Sequence, residues 1–305
     1  MNETAILGVD WGSSSVRAMR IDGEGRILEV RRAKDGVLTR SGDFQARLRA
    51  HIGDWLTATP NLPVVLCGMI GSDRGWHPAG YVAAPAGLSD LAYALTAPPF
   101  AGVARIVPGV SLSDGDEAEV MRGEETLVMG FLTQTGLSEA CLCLPGTHSK
   151  WIRVRAGRID RFRTYMTGEL RALLLKNGAL ATATAQTEAP DAFQQGMKAA
   201  GTALSRALFQ ARSRRLLGGL QAEHTAAFVS GVLLGQEIAA EALRLEQDVP
   251  IFVLARDALA RDYGFALGQA NIAHSIVDPE PLAALGLSGN APQAGLTPVS
   301  SVTRT

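Results

Sequence analysis

Short apolar runs alternate with glycine-containing turns in the first third of the chain. Strands are predicted where such runs, rich in β-branched residues, end at a turn: residues 6–10, 16–21, 26–30, 63–67 and 103–107. Apolar residues recur at helical spacing from Phe44 to Leu56, and a short helix is predicted around 88–95. The pattern therefore predicts the order β-β-β-α-β-α-β.

The same pattern begins again at residue 140. Strands are predicted at 140–145, 150–154 and 159–164, followed by a helix from Thr167, as a candidate N-cap, to Lys176. Further helices are predicted at 191–207, 228–243 and 259–267, with a strand at 250–254. The repeat indicates a duplicated α/β fold. Its expected domains are residues 1–110 and 111–288, followed by a loose tail at 289–305.

A polar turn follows the first strand of each unit. The first, Gly12-Ser13-Ser14-Ser15, offers backbone N–H groups and hydroxyls that suit a polyphosphate, and Asp10 stands where a carboxylate can hold Mg²⁺. The alternative is an ordinary hairpin with an Asp at its end. A second such turn, Gly146-Thr147-His148-Ser149, strengthens the phosphate hypothesis, and we expect the two turns to face each other across a cleft.

Composition narrows the class of protein. Hydrophobic residues make up 47% of the 305 positions and charged residues 19%, which is typical of a globular protein. A net charge of −1, with both signs well mixed, disfavours nucleic-acid and membrane-surface partners. No signal peptide or membrane span is evident, so we expect a cytoplasmic protein; its oligomeric state is open, with a homodimer as one alternative.

The chain contains three cysteines, which argues against a disulfide framework. Cys141 and Cys143 alternate within one predicted strand and therefore share a face. A zinc site is disfavoured because no second Cys/His pair stands at ligand spacing. We expect them to be core thiols.

The duplicated units with phosphate turns resemble the actin-like ATPase superfamily, whose domains have a ribonuclease H-like fold. Five stretches, in order, are similar to the 2-dehydro-3-deoxygalactonokinase family: residues 9–14, 68–76, 120–126, 145–151 and 162–170. The resemblance implies ATP- and Mg²⁺-dependent phosphorylation of 2-dehydro-3-deoxygalactonate at its terminal hydroxyl, in a cleft between two domains. It also implies that Gly12, Ser13, Ser14, Ser15, Gly146, Thr147 and His148 contact the ATP phosphates.

In related sugar kinases the catalytic base is an acid after a glycine, at a helix start before the second phosphate turn. Gly123-Glu124 matches this context, so Glu124 is the expected base, with Glu125 as an alternative. A carboxylate in the first turn of a helix is favoured in its ionised form, which can accept a proton. Simple capping by both glutamates is the remaining alternative.

A six-carbon keto acid needs a cation for its carboxylate and polar groups for its hydroxyls. Ser72, Arg74, Trp76 and Tyr81 follow a strand end and supply these groups, so they are the expected substrate residues. Asp114 and Asp116 could order hydroxyls or form a solvated loop.

Several basic residues near these turns have open roles. Arg17 could reach a phosphate or cover a strand face, and Lys150 and His148 are donors beside the second turn. Thr147 suits close approach to a phosphate better than His148 does.

One stretch departs from the family pattern. Arg256 and Asp257 stand after the late strand, where family members tend to have small residues near adenosine. Arg256 could stack on adenine, or the pair could hinder it. This departure leaves a non-catalytic nucleotide-binding module as one alternative to the expected activity. A kinase of a related sugar acid or ketose is another, because epimers differ in one hydroxyl that a single side chain can read.

Overall fold

The computed structural model describes residues 3–39, 42–100, 102–115, 117–181 and 187–293. The strands of these residues are β1 (Thr4–Trp11), β2 (Val16–Asp22), β3 (Ile27–Ala33), β4 (Val64–Cys67), β5 (Tyr81–Ala83), β6 (Ala104–Ile106), β7 (Gly109–Asp114), β8 (Glu117–Met121), β9 (Ala140–Leu144), β10 (Ser149–Arg155), β11 (Arg158–Tyr165), β12 (Ile251–Leu254) and β13 (Ser275–Val277). The α-helices are α1 (Phe44–Ala58), α2 (Leu88–Tyr93), α3 (Glu124–Thr135), α4 (Thr167–Lys176), α5 (Pro190–Ala199), α6 (Leu204–Leu216), α7 (Thr225–Ala242), α8 (Asp257–Gln269) and α9 (Pro279–Gln293). Short 3₁₀ helices occupy Gly68–Gly71, Gly178–Leu180 and Ala222–His224.

The first five-stranded sheet has the order β3-β2-β1-β4-β6. Its first three strands are antiparallel neighbours, whereas β1, β4 and β6 run parallel. The central strand β1 is buried on both faces: Leu7 and Val9 lie in one hydrophobic cluster, and Ala5 and Ile6 lie in another. Burial of both faces explains why this strand reads as a continuous apolar run.

The second five-stranded sheet has the order β11-β10-β9-β12-β13, which is the same order for a second set of strands. β9, β12 and β13 are parallel neighbours, like their counterparts in the first sheet. Cys141 and Cys143 are buried thiols that share one hydrophobic cluster, as expected. The duplicated core of the actin-like fold, predicted from the sequence, is confirmed.

Packing divides the chain into two compact units. Unit 1 contains residues 1–139, 153–162 and 278–305, and unit 2 contains residues 140–152 and 163–277. These unit boundaries follow the packing of the chain. They differ from the domain boundaries expected from the sequence, at 110/111 and 288/289. The C-terminal helix α9 belongs to unit 1 because it packs against α3 and β1. It extends to Gln293, and residues 294–305 lie outside the described residues.

Some elements were not predicted. A three-stranded sheet, β5-β7-β8, stands on either side of the predicted acidic loop in the sequence, and Asp114 is the last residue of β7. The single helix predicted at 191–207 is wrong: the chain forms α5 and α6, which are separated around Gly201. Thr167 starts α4 but makes no side-chain capping bond; its hydroxyl instead donates to Glu237.

Among the described helices, none combines the length and the apolar character that crossing a bilayer requires.

Candidate active site and family membership

The first phosphate turn, residues 12–15, joins β1 to β2. The Gly12 N–H donates to the Ser15 carbonyl at 2.9 Å, which closes the turn, and the three serines are exposed. The amides of Val37 and Leu38 donate to the carbonyls of Gly12 and Ser13, each at 2.9 Å. The amides of Ser13 and Ser14 have no backbone acceptor among the described residues. The turn therefore has backbone N–H groups available at Ser13 and Ser14, and a phosphate requires such donors.

Residues 35–38 pack against this turn. A Cβ on Gly36 would lie only 2.3 Å from the Ser13 backbone, so a side chain there would displace the turn. The Trp11 indole N–H donates to the Asp35 carbonyl at 2.7 Å, and the buried Arg47 donates to the Asp35 carboxylate and the Gly36 carbonyl, both at 2.8 Å. These bonds hold the turn in one conformation.

Asp10 lies at the end of β1, directly opposite Arg17 on β2. One guanidinium nitrogen of Arg17 contacts Asp10 Oδ2 at 2.9 Å, and another lies 3.4 Å from Glu280 of α9. The Asp10 side chain remains 34% exposed. Arg17 is thus bound by two carboxylates beside the first phosphate turn.

Among the described residues, no group of three or more acidic, His or Cys side chains forms a metal site. A single carboxylate nevertheless fits Mg²⁺ in a phosphotransferase, because this ion is commonly held by one or two carboxylates together with substrate phosphates and water. The donor chemistry of Asp10 therefore fits the predicted ion.

Two glycines bring the start of α3 close to Asp10. Gly68 follows β4 with φ +87°, and a Cβ there would lie 2.9 Å from the Trp11 carbonyl and 3.4 Å from Asp10 Oδ1. Gly123 precedes α3 with φ +106°, and its Cβ would lie 3.3 Å from Gly68 Cα. Both conformations favour glycine. The backbones of β1, the 68–71 turn and α3 therefore meet at one point of unit 1.

The two glutamates of α3 have different environments. Glu124 is partly exposed, and its carboxylate accepts a hydrogen bond from the Arg122 amide at 3.0 Å. Glu125 is completely buried, and it accepts from the Gly123 amide at 2.6 Å. Burial, together with the negative charge of Glu124, raises the pKa of Glu125 to about 8. Only Glu124 is accessible to a substrate, which favours it over Glu125 as the base.

The expected substrate residues have different surroundings. The Ser72 hydroxyl donates to the Met69 carbonyl at 2.7 Å and so closes its own turn. Trp76 is partly buried and packs edge-on against Phe100, so its ring belongs to the core margin. Arg74 is exposed, and its side chain makes no hydrogen bond or ion pair with the described residues. Tyr81 is 49% exposed and carries the Arg122 guanidinium 4.4 Å above its ring.

The predicted acidic pair is not part of this cluster. Asp114 is exposed and lies 3.7 Å from Arg161, and Asp116 lies outside the described residues. The ion pair of this exposed Asp114 favours the interpretation that it belongs to a solvated loop.

The second phosphate turn, residues 146–149, lies against the N-terminus of α4 in unit 2. The Glu169 amide donates to the Thr147 carbonyl at 2.9 Å, and a Cβ on Gly168 would come within 2.3 Å of the Gly146 carbonyl oxygen. Thr147 and His148 are exposed, and the His148 ring contacts the Glu169 carboxylate. Lys150 is buried on β10 rather than open to a ligand.

Two buried glutamates of α7 were missed by the sequence reasoning. Glu237 accepts hydrogen bonds from Trp151 at 2.8 Å, from Tyr263 at 3.1 Å and from the Thr167 hydroxyl. Burial raises the pKa of Glu237. Its partners lie on β10, α4 and α8, so this carboxylate connects the elements around the second turn. The sequence of α7 has an apolar pattern. Its one signal for Glu237 was an acidic residue at a position expected to lie in the core.

One turn along the same helix, Glu241 is equally buried. It accepts from Arg163 Nε at 2.7 Å and from the Tyr165 hydroxyl at 2.6 Å. These two bonds join α7 to the end of β11. The side chains of α7 therefore fix both ends of the β10–β11 region of unit 2.

Unit 2 also contains a cavity of about 440 Å³. Its walls come from the start of α5, the first turns of α7 and α8, and Arg171 of α4. Phe193 and Phe265 form an edge-on pair there, and Arg261 lines one side. Arg256 and Asp257 are exposed and are not among the described residues that line this cavity. Apolar side chains line the cavity together with two arginines and two acids, and this mixture suits a flat, polar-edged ring; the charged residues are Arg171, Arg261, Glu188 and Asp262.

Comparison with known proteins identifies the family that this chain resembles. The sequence profile of the family described as 2-keto-3-deoxy-galactonokinase matches residues 10–289. The chain is 32% identical over 294 residues to the 2-dehydro-3-deoxygalactonokinase of Escherichia coli strain K12, covering 89% of this chain and 98% of that protein. It is 35% identical over 295 residues to a Rhizobium meliloti strain 1021 protein that carries the same name provisionally, covering 93% of this chain and 95% of the relative.

A crystal structure from Sinorhizobium meliloti, described as a candidate 2-dehydro-3-deoxygalactonokinase, superimposes with a TM-score of 0.85. The two chains are 33% identical, and the match covers 94% of this chain and 98% of the other. Because the profile and the relatives span nearly the whole sequence, the chain belongs to the 2-keto-3-deoxy-galactonokinase family.

Proposed function

We propose that this protein transfers the γ-phosphoryl group of ATP to the terminal hydroxyl of 2-dehydro-3-deoxygalactonate, a step of galactonate catabolism. Family membership supports the reaction, and one structural observation supports the location of the active site. Glu124 is accessible and follows Gly123, whose backbone packs against Gly68, and Gly68 in turn lies against the end of β1 at Asp10. A proton acceptor and a candidate metal ligand therefore lie in one part of unit 1.

Glu124 is proposed to orient the acceptor hydroxyl and to take its proton. Phosphoryl transfer depends mainly on positioning and on neutralisation of charge, so a fixed carboxylate is the principal group that the protein must supply to the alcohol. The Arg122 amide holds the Glu124 carboxylate at 3.0 Å in the ligand-free chain. The buried neighbour Glu125, with its raised pKa, is mostly uncharged near pH 7 and is assigned a packing role.

Asp10 is proposed to hold Mg²⁺, with the phosphates and water completing its ligands. When bound, this ion neutralises phosphate charge. The turn at Gly12–Ser15 and the turn at Gly146–His148 are each proposed to donate to ATP phosphates, through backbone N–H groups and the exposed hydroxyls of the serines and Thr147. The adenine is proposed to bind in the cavity beside Phe193 and Phe265, away from the exposed Arg256 and Asp257.

The test of the function is an assay of ADP formation with purified protein over a panel of 2-keto-3-deoxy acids, aldonic acids and ketoses. We expect the galacto epimer of the 2-keto-3-deoxy acid to have the highest kcat/KM, and ³¹P NMR of its product to show a terminal phosphomonoester. A higher kcat/KM for another sugar acid or ketose would move the substrate to that compound. ATP binding without turnover on any of them would favour a nucleotide-binding module.

The test of Glu124 is the isosteric variant Glu124→Gln. We expect kcat to fall by about 10²- to 10⁴-fold while the melting temperature is kept, because a positioned base contributes about that factor. The exposed Glu117→Gln is a matched control for the loss of one carboxylate in the same unit. Near-normal turnover in Glu124→Gln would remove Glu124 from the role.

The cytoplasmic location and a homodimeric assembly are further proposals. Size-exclusion chromatography with light scattering tests the assembly, and fractionation of the native host tests the location.

A further inference from the structure

Arg122 lies between β8 and α3, immediately before Gly123 and Glu124. Its Nη2 atom donates to the Gly80 carbonyl at 2.8 Å, and its Cζ atom lies 4.4 Å from the centroid of the Tyr81 ring. One hydrogen bond and one cation–π contact therefore hold the guanidinium in place in the ligand-free chain.

The other two guanidinium nitrogens are unusual. Nε and Nη1 are buried, and neither has a hydrogen-bond acceptor among the described residues. Buried donors are nearly always paired in native proteins, and an unpaired donor on a charged group is especially costly. Two free N–H positions on one planar cation are complementary to an acceptor that the described part of the chain does not supply.

The surroundings of these nitrogens indicate the kind of acceptor. A Cβ on Gly71 would lie 3.0 Å from Nη1, so the guanidinium packs closely against the Gly71 backbone and a side chain there would displace it. The nearby Glu125 is mostly uncharged at neutral pH, because its pKa is raised to about 8, and it therefore does little to cancel the charge of Arg122. Arg122 therefore places a positive charge two residues before the carboxylate that we assign as the base.

We propose that Arg122 binds the carboxylate of the sugar acid, with Tyr81 supporting its guanidinium. The inference rests on the proposed function and adds a specificity-determining residue to it. A guanidinium recognises a carboxylate through paired hydrogen bonds, which a neutral sugar cannot form equally well. Binding requires the atoms that cover Nε and Nη1 to move aside. This assignment places the substrate cation at Arg122 rather than at the exposed Arg74.

The test combines an enzyme variant with a change in the substrate. Steady-state kinetics are measured for wild type, Arg122→Gln and Arg122→Lys with the 2-keto-3-deoxy acid and with its neutral primary amide. We expect Arg122→Gln to raise KM for the acid by about 10- to 100-fold, the worth of a hydrogen bond to a charged group. KM for ATP should stay unchanged. Arg122→Lys should recover little, because an ammonium lacks the planar pair of donors.

The amide provides a readout that a structural role would not change. Wild type should strongly prefer the acid to the amide, and this preference should shrink to within about 3-fold in Arg122→Gln, as a double-mutant cycle requires. Arg105→Gln is the matched control, since the Arg105 guanidinium donates within its own strand to the Ala104 carbonyl. It should keep the wild-type preference.

Three results would overturn the inference. An unchanged KM for the acid in a folded Arg122→Gln protein would refute it while leaving the proposed function intact. Equal kcat/KM for acid and amide in wild type would refute it even if the variants do not fold. Absence of turnover with every sugar acid in wild type would refute the proposed function and this inference together.

Discussion

The buried carboxyl of Glu125 makes a quantitative prediction about stability. Its side chain is fully inaccessible to solvent, and its hydrogen-bond partners are the Gly123 amide at 2.6 Å and the Thr126 hydroxyl at 3.2 Å. Desolvation is the largest cause of its raised pKa, followed by the charge of Glu124. Replacement by glutamine keeps the shape of the protonated acid and removes its ionisation.

The pKa of Glu125 rises from an ordinary 4.5 to about 8 in the folded protein. Between these values the folded state binds more protons than the unfolded state, so the stability contribution is complete below about pH 4.5 and is lost as the pH rises through about 8. At about 1.4 kcal/mol for each pKa unit, the loss across this window is about 5 kcal/mol. The variant Glu125→Gln should not show this loss.

The assay is urea unfolding at pH 5, 7 and 9, followed by tryptophan fluorescence. Trp11, Trp55 and Trp76 belong to unit 1, which also contains Glu125, so the signal is weighted toward that unit. We expect the free energy of unfolding of Glu125→Gln to exceed that of wild type increasingly from pH 5 to pH 9. The exposed Glu117→Gln should follow wild type at every pH.

Parallel pH profiles for wild type and Glu125→Gln would refute this reasoning. They would mean that Glu125 ionises at the same pH in both states, through water or a counter-charge that reaches it. A uniformly lower stability of the variant would indicate a lost hydrogen bond in place of a titration.

Three further predictions concern other parts of the site. Asp10→Asn should raise the Mg²⁺ concentration for half-maximal activity about 10-fold or more, measured by metal titration, because a charged ligand is lost; an unchanged titration would contradict the metal role. Gly123→Ala should cost about 1–3 kcal/mol, because φ +106° is a glycine conformation and the new Cβ would press on the neighbouring backbone. Gly136→Ala, at φ +68° with nothing within 4 Å, should lower the melting temperature less, and equal losses would contradict the argument. Glu237→Gln should cost about 2–3 kcal/mol and raise KM for ATP, since its three donors connect the elements around the second phosphate turn; an unchanged KM would limit Glu237 to a packing role.

Local pattern was sufficient for much of the core. The strand runs at 6–10 and 140–145 were predictable because both faces of β1 are buried and β9 is equally apolar. The two polar turns were visible as breaks between strands, since a chain reversal requires small or polar residues. The elements that were missed include β5, β7, β8, β13 and α9. The partners of β5 and α9 lie far away in sequence, whereas β7 and β8 pair with each other as a hairpin.

The roles of individual side chains were harder to predict from the sequence. The sequence offered Arg74 as the candidate cation, and only burial and the Tyr81 contact draw attention to Arg122. It also offered Glu124 and Glu125 as adjacent acids on one helix. Their separation into an accessible carboxylate and a buried acid depends on the rotation of α3 against its neighbours, which no local pattern encodes.

By itself, the sequence determined the duplicated α/β core, the two glycine- and hydroxyl-containing turns and the family, because each follows from short-range periodicity and from motifs in a fixed order. Only the tertiary structure decided which charges are paired, buried or left without a partner. Asp10 meets Arg17 across two strands, and Glu237 accepts hydrogen bonds from β10, α4 and α8. Two buried nitrogens of Arg122 have no acceptor in the part of the chain that the structure describes. The physical reason is that desolvation and hydrogen bonding depend on neighbours in space, whereas the hydrophobic pattern depends on neighbours along the chain.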